Sequence, residues 1–319
     1  MKKLKPPSPL ALHSLRARNH FAWLHVTINF VLISSGFVFS VGLTHPALYI
    51  CGQLLLALGF TQALVLLHEA GHRTLFRKRR LNNVIGILAG FVALIPFATW
   101  RPIHARHHRY TGWQDLDATT ESLTPRTLSS LERAIINAAW WSSLPLFSLI
   151  YRVQNYWNIG RIRPYLGSAV QPTRLIILAA VQLGGYMALL AWWGPEESLI
   201  AIGPGLFLAL AMQDILLLSQ HTHMPAQVSH GRPVRAYPPM EQGRFTRSLR
   251  LPVWLSWLFL NFDAHELHHL YPAVPGYLLR RIPYSPPNEM HWLAWLREAK
   301  SMSGTHFLFG GPRLDKPQP

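Results

Sequence analysis

Four apolar stretches, residues 21–41, 47–67, 175–193 and 199–218, constrain this chain more than any other feature. Each is roughly the length that a bilayer's hydrocarbon core requires of a spanning helix. None contains Lys or Arg. In lipid every backbone polar group needs an internal partner, and a helix provides one for each. The expected fold is therefore all-α and integral to a membrane, with about four transmembrane helices. Short loops, "GLTHPAL" and "GPEES", join the stretches into two hairpins. The first stretch follows "MKKLKPPSPL", a charged start that a signal peptide shares, but it is too long and begins too late for one. It reads as a retained anchor.

Half of the 319 residues are apolar and 14% are charged, a low share for a soluble protein. The formal charge of +16 is unevenly spread. Both short loops lack Lys and Arg, so the basic residues lie at the N-terminus, in 73–174 and after Gln220. The positive-inside rule assigns these regions, both termini included, to the cytoplasmic face. The basicity then reflects topology, and nucleic acid is not an expected partner. Cys51 is the lone cysteine, which excludes a disulfide framework and any cysteine-rich metal site. The end, "DKPQP", reads as a loose tail.

Three further apolar stretches, 84–100, 134–151 and 251–262, complicate this picture. A single crossing by 84–100 would separate His68 and His72 from His104, and Arg77 to Arg80 from Arg101 to Arg109. A re-entrant or interfacial helix is expected instead. The other two are rich in Trp (Trp140, Trp141, Trp254, Trp257), as suits headgroup depth.

The chemistry lies in histidines. His68 and His72 in "HEAGH" fall about 40° apart around a helix, one turn above the other. "HARHH" (His104, His107, His108) and "HELHH" (His265, His268, His269) repeat one H-x-x-H-H spacing, and on a helix each can present three imidazoles to a common centre. Neutral imidazole suits iron, zinc or copper. Eight rings exceed what one ion takes, so two metals are the economical reading. "QHTHMP" adds His221, just beyond the fourth apolar stretch. Asp214, seven residues earlier on the same helical face, and Asp115 and Asp117, just after the second cluster, are candidates to orient a ligand imidazole. So are Glu69, Asp263 and Glu266. His13, His20, His25, His45, His230, His291 and His306 read as ordinary surface or core residues.

The series "HEAGH", "HARHHRYTG", "QHTHMP" and "HELHHLYPAVPGY" resembles the membrane fatty acid desaturases, most closely their methyl-end (Δ12/ω) branch, over residues 58–279 of a single domain, 1–319. The resemblance implies about four spanning helices beneath a cytoplasmic cap that holds a non-haem diiron centre. It implies His68, His72, His104, His107, His108, His265, His268 and His269 as iron ligands and His221 as a further one, with His223 a less clear candidate. No catalytic residue beyond these ligands is implied. O2 is the implied co-substrate and a lipid acyl chain the substrate. No "HPGG" haem motif occurs, so electrons are expected from an external donor of ferredoxin, rubredoxin or cytochrome b5 type. A positive cytoplasmic surface suits an acidic donor and anionic lipids. Trp100, Phe97, Trp113 and Tyr110 are candidates to line the acyl path, although packing or an interfacial place is the commoner role of such aromatics.

Spacing alone leaves competitors. A related diiron hydroxylase or ketolase, carotenoid types included, or an oxidative decarboxylase forming a terminal alkene shares the same centre. "HEAGH" is also the HExxH of zinc proteases, with Glu69 as base, but one zinc leaves two clusters unexplained. A metal transporter places ligands near the middle of its spans, whereas these lie at span ends.

Overall fold

The computed structural model describes residues 15–42 and 45–314. "MKKLKPPSPL", His13 and "DKPQP" lie outside the described residues. The first half folds as α1 (Asn19–Val41), α2 (Pro46–His72), α3 (Arg79–Val92), α4 (Phe97–Tyr110), α5 (Ser130–Ser142), α6 (Leu146–Arg152) and α7 (Ile159–Ile162). The second half gives α8 (Pro172–Trp193), α9 (Pro195–His221), α10 (Pro239–Gln242), α11 (Val253–Leu258), α12 (His265–Leu270), α13 (Gly276–Leu279), α14 (Trp292–Ser301) and α15 (Gly304–Phe309). A short parallel pair, β1 (Ser248–Arg250) with β2 (Glu289–His291), ties the C-terminal segment together. The chain is all-α in class, as its apolar pattern requires.

Among the described residues, α1, α2, α8 and α9 are long and apolar enough to cross a membrane. Their boundaries follow from local chemistry. Pro46, Pro172 and Pro195 open α2, α8 and α9, where a missing N–H costs nothing. His45 caps α2 with its side chain, and Arg73 ends it in the left-handed region at φ 62°. The stretch 84–100 does not run as one helix. It breaks after Val92, Leu94 adopts φ 58°, and α4 departs from α3 at 102°. The stretch 134–151 breaks likewise, by 118°. In 251–262 only the six residues of α11 are helical, with Trp254 and Trp257 exposed.

The core centres on α2, of whose most apolar segment 67% is buried, against 11% for α8. Gly36 of α1 and Gly52 of α2 meet so closely that a Cβ on either would contact the other's carbonyl oxygen at under 3 Å. Small residues allow such backbone approach between apolar helices. Inside α9, Pro204 removes the N–H that would bond the Ile200 carbonyl. The Tyr49 hydroxyl donates to that carbonyl at 2.8 Å. Gln53 bridges the next rung, taking the Gly205 N–H at 2.7 Å and donating to the Ala201 carbonyl at 2.8 Å. In an apolar surrounding each orphaned backbone group costs several kcal/mol, on the order of 2–7. These two side chains from α2 remove that cost.

Candidate metal centre

Four helices converge at one end of the long spans. His68 and His72 close α2, His221 closes α9, α4 carries His104, His107 and His108, and α12 carries His265, His268 and His269. The nine rings sort into two groups. His68, His72, His104, His108 and His268 form one, and His107, His221, His265 and His269 the other, with ligand atoms in each within 4.8 Å of one another. Each H-x-x-H-H cluster is therefore divided, not gathered onto one centre as the spacing suggests. The reason is angular. Positions i and i+4 lie about 40° apart around a helix, but i+3 and i+4 about 100°. His104 and His108 thus share a group while His107 faces the other; His265 and His269 share a group while His268 crosses to the first.

The ring nitrogens crowd as neutral donors do. Nε2 atoms of His72, His104, His108 and His268 follow one another at 2.8, 3.1 and 3.0 Å. In the second group, His265 Nε2 lies 2.9 Å from His221 Nε2 and 3.0 Å from His269 Nε2. Burial and the neighbouring rings hold His265, His268 and His269 well below the usual imidazole pKa. Their outer bonds fix which nitrogen is bare. His107 Nδ1 donates to Asp117 at 2.7 Å, His221 Nδ1 to the Phe245 carbonyl at 3.2 Å, and His269 Nδ1 to Gln242 Oε1 at 2.9 Å. Gln242 spends its NH2 on the carbonyls of His108 and Tyr237, which sets the amide's orientation. Three Nε2 lone pairs then face inward, and His265 has at most one proton with which to satisfy them. His68 Nδ1 contacts Glu69 at 3.2 Å, while its buried Nε2 has no partner. Converging, dry, unpaired imidazole lone pairs fit metal cations.

The candidate acids divide. Asp117 is 1% exposed and bonds His107 and Thr119. Burial pushes its pKa up, but His107 and the Thr119 bonds outweigh that and hold it below the usual range. Glu69 reaches His68, Thr74 and the Gly276 N–H. Asp115, two residues from Asp117 across a tight turn, points to Ser229 instead. Asp214 accepts from the Ser148 N–H at 2.6 Å and does not meet His221. Asp263 pairs with Arg280 and Ser256, and Glu266 accepts from the Asn288 N–H. These four brace the scaffold and touch no box histidine. His223 lies in neither group, and its ring sits against His306 at 5.6 Å. His45 and His291 cap helices. Gln242 and Thr119 carried no signal in the sequence, since nothing in "PPMEQGRF" or "DATTES" marks a contact across such separations.

A cavity of about 60 Å³ touches both groups, through His68 and His104 on one side and His107, His221 and His265 on the other. Its remaining wall is largely apolar, with Leu64, Phe147, Leu217 and Phe262. Of the four aromatics expected along an acyl path, Trp100 lines this cavity and stacks on His104 at 4.2 Å. The others do not. Phe97 packs at Gly86, Trp113 donates to the Arg235 carbonyl, and Tyr110 lies beneath Arg106 and Arg109.

Two imidazole groups beside a shared, mostly apolar cavity, at the ends of helices long enough to span lipid, define a membrane protein able to hold metal. The chain belongs to the fatty acid desaturase family, whose model matches residues 44–285. It is similar to the sn-1 oleoyl-lipid 12-desaturase of Picosynechococcus, 27% identical over 73% of this chain and 67% of the relative. The Synechocystis enzyme of the same name is 26% identical, over 81% and 74%. A chloroplastic sunflower protein, sn-2 acyl-lipid omega-3 desaturase (ferredoxin), is 25% identical over 69% and 51%. These relatives place the likeness in the Δ12/ω branch. Membership makes the chain an oxidoreductase with desaturase activity.

Proposed function

We propose that residues 1–319 form one membrane-embedded domain that introduces a C=C bond into a lipid-linked acyl chain, using a non-haem diiron centre and O2. His68, His72, His104, His108 and His268 hold one iron, and His107, His221, His265 and His269 the other. The observation that carries this reading is the cavity shared by both groups, walled for the greater part of its remaining surface by apolar atoms. Iron supplies oxidising power that no side chain possesses. The protein supplies placement: the cavity, about 60 Å³, is small, so an acyl segment lying in it leaves little room for water. Asp117 and Gln242 keep the inward nitrogens of His107 and His269 bare.

The distribution of Lys and Arg supports a multi-pass topology with both termini and the histidines on the cytoplasmic side. Electrons come from a separate carrier of ferredoxin, rubredoxin or cytochrome b5 type, for which a basic face is complementary. The sunflower relative carries "ferredoxin" in its name.

The test is product analysis in a host without polyunsaturated lipids, together with metal analysis of the purified chain. Two irons per chain and lipids lacking two hydrogens with the carbon count intact are expected. A product with added oxygen or a lost carbon would replace desaturation with hydroxylation or decarboxylation, and a single zinc would overturn the diiron centre.

A further inference from the structure

A second cleft, of about 990 Å³, opens between α8, the α3–α4 pair and the end of α2, where His72 lines it, and shares no lining residue with the cavity between the histidine groups. Its two ends differ in chemistry. One end carries Arg73, Arg101 and Arg174, together with Asn83, whose amide oxygen is buried without a partner. Further along lie Ile87, Leu178 and Val181, all exposed. No carboxylate lines the cleft. Among the described residues the three arginines form no ion pair, and the charged neighbours felt by Arg101 are Arg73 and Arg79, both cations. Such a cluster lacks its counter-charge.

Dimensions identify what supplies it. From Arg174 to Gly185 the lining follows α8 for about 16 Å at a helical rise of about 1.5 Å per residue. That is close to the hydrocarbon depth of one leaflet, half of about 30 Å. A cationic mouth above an apolar trough of leaflet depth is the outline of one membrane lipid with a charged headgroup. A free anion leaves the trough empty, and a soluble protein partner does not reach to that depth.

We propose that this cleft holds one anionic phosphoglycerolipid, its phosphate among Arg73, Arg101 and Arg174 and an acyl chain along α8. The lipid fills the space between the sparsely packed α8 and the helix that carries His104, His107 and His108. Trp100, packed against Gly71, lines the cavity and not the cleft, whereas His72 of the first histidine group lines the cleft's inner wall. Binding there needs no turnover.

The test uses the full-length protein in neutral detergent, offered equal amounts of phosphatidylglycerol and uncharged monogalactosyldiacylglycerol and weighed by native mass spectrometry. One phosphatidylglycerol per chain is expected, preferred by at least about tenfold, since each basic residue near a lipid surface contributes about 1 kcal/mol. Arg73→Gln/Arg101→Gln/Arg174→Gln brings the two lipids near parity, whereas Arg133→Gln/Arg281→Gln/Arg297→Gln, with the same loss of charge, keeps the preference. Val181→Trp, which fills the trough on an exposed face and leaves the arginines intact, lowers retention. Equal retention of both lipids by the wild type, equal loss in the two triple variants, or undiminished retention by folded Val181→Trp would each overturn the proposal.

Discussion

The two histidine groups share α4 and α12, draw on α2 and α9 respectively, and are built in different ways. The first takes both members of two i/i+4 pairs, His68 with His72 and His104 with His108, and adds His268. The second takes one pair, His265 with His269, and single rings from α4 and α9. The first has five rings, of which His68 has a hydrogen-bonded outer nitrogen while the outer nitrogen of His108 is buried and unpartnered. The second has four, and three of those are aimed by Asp117, the Phe245 carbonyl and Gln242. Helix geometry aims paired rings, because their backbone already sets their separation. In the second group the single rings His107 and His221 are aimed by hydrogen bonds, and so is the paired His269. The four-ring group therefore depends on residues outside the histidine boxes, and the five-ring group on helix packing.

The sharpest way to break this comparison is to remove one ring from each group. His107→Ala reduces the second group to three and is expected to lower product by more than about 100-fold and to leave about one iron per chain, read by metal analysis. His72→Ala leaves the first group with as many rings as the second has, and a smaller loss in iron is expected. Equal losses would mean that ring count does not distinguish the sites.

Asp117→Asn, which keeps the shape but not the charge, is expected to cost about 10–100-fold in activity, with iron lost selectively from one site. Asp115→Asn and Asp214→Asn, whose partners lie elsewhere, are expected to change specific activity by less than about threefold by the same measure. A loss at Asp214 as large as that at Asp117 would sink the distinction. Next in size, Gln242→Leu frees His269 without removing a charge, and several-fold weaker iron retention against a chelator is expected, about a tenfold drop at most. The smallest effect on activity is expected from Gln53→Leu. It should lower thermal stability in detergent by about 1–3 kcal/mol through the unpaired α9 backbone groups, with what iron is lost coming from the group that His221 completes.

Much of this was legible because lipid leaves few choices. A run of apolar residues without Lys or Arg, of bilayer length, has little option but a helix, and all four long helices enclose the stretches expected of them. The box histidines were legible because one spacing recurs. Their allotment was not. In "HARHH", whether His107 joins His104 or opposes it depends on α4 lying between two groups, and no local pattern encodes that. Asp115 and Asp117 differ in the sequence by two positions and in the structure by whether they reach a ring. Gln242 ends the one-turn helix α10, unmarked by its local sequence, and its place beside His269 follows from how α10 packs against α12.

Gln53 and Gly205 lie deep among the apolar side chains of α2 and α9, and both helices run from there towards the histidine end. From Gln53 to His68 is 15 residues, and from Gly205 to His221 is 16. At about 1.5 Å per residue these are arms of about 22 and 24 Å. The pair of hydrogen bonds at their base therefore acts as a levelling pin. Were α9 to slip by one turn against α2, His221 would miss the other rings by about 5 Å, so the proline that interrupts α9 also supplies the mark by which its histidine is brought to height.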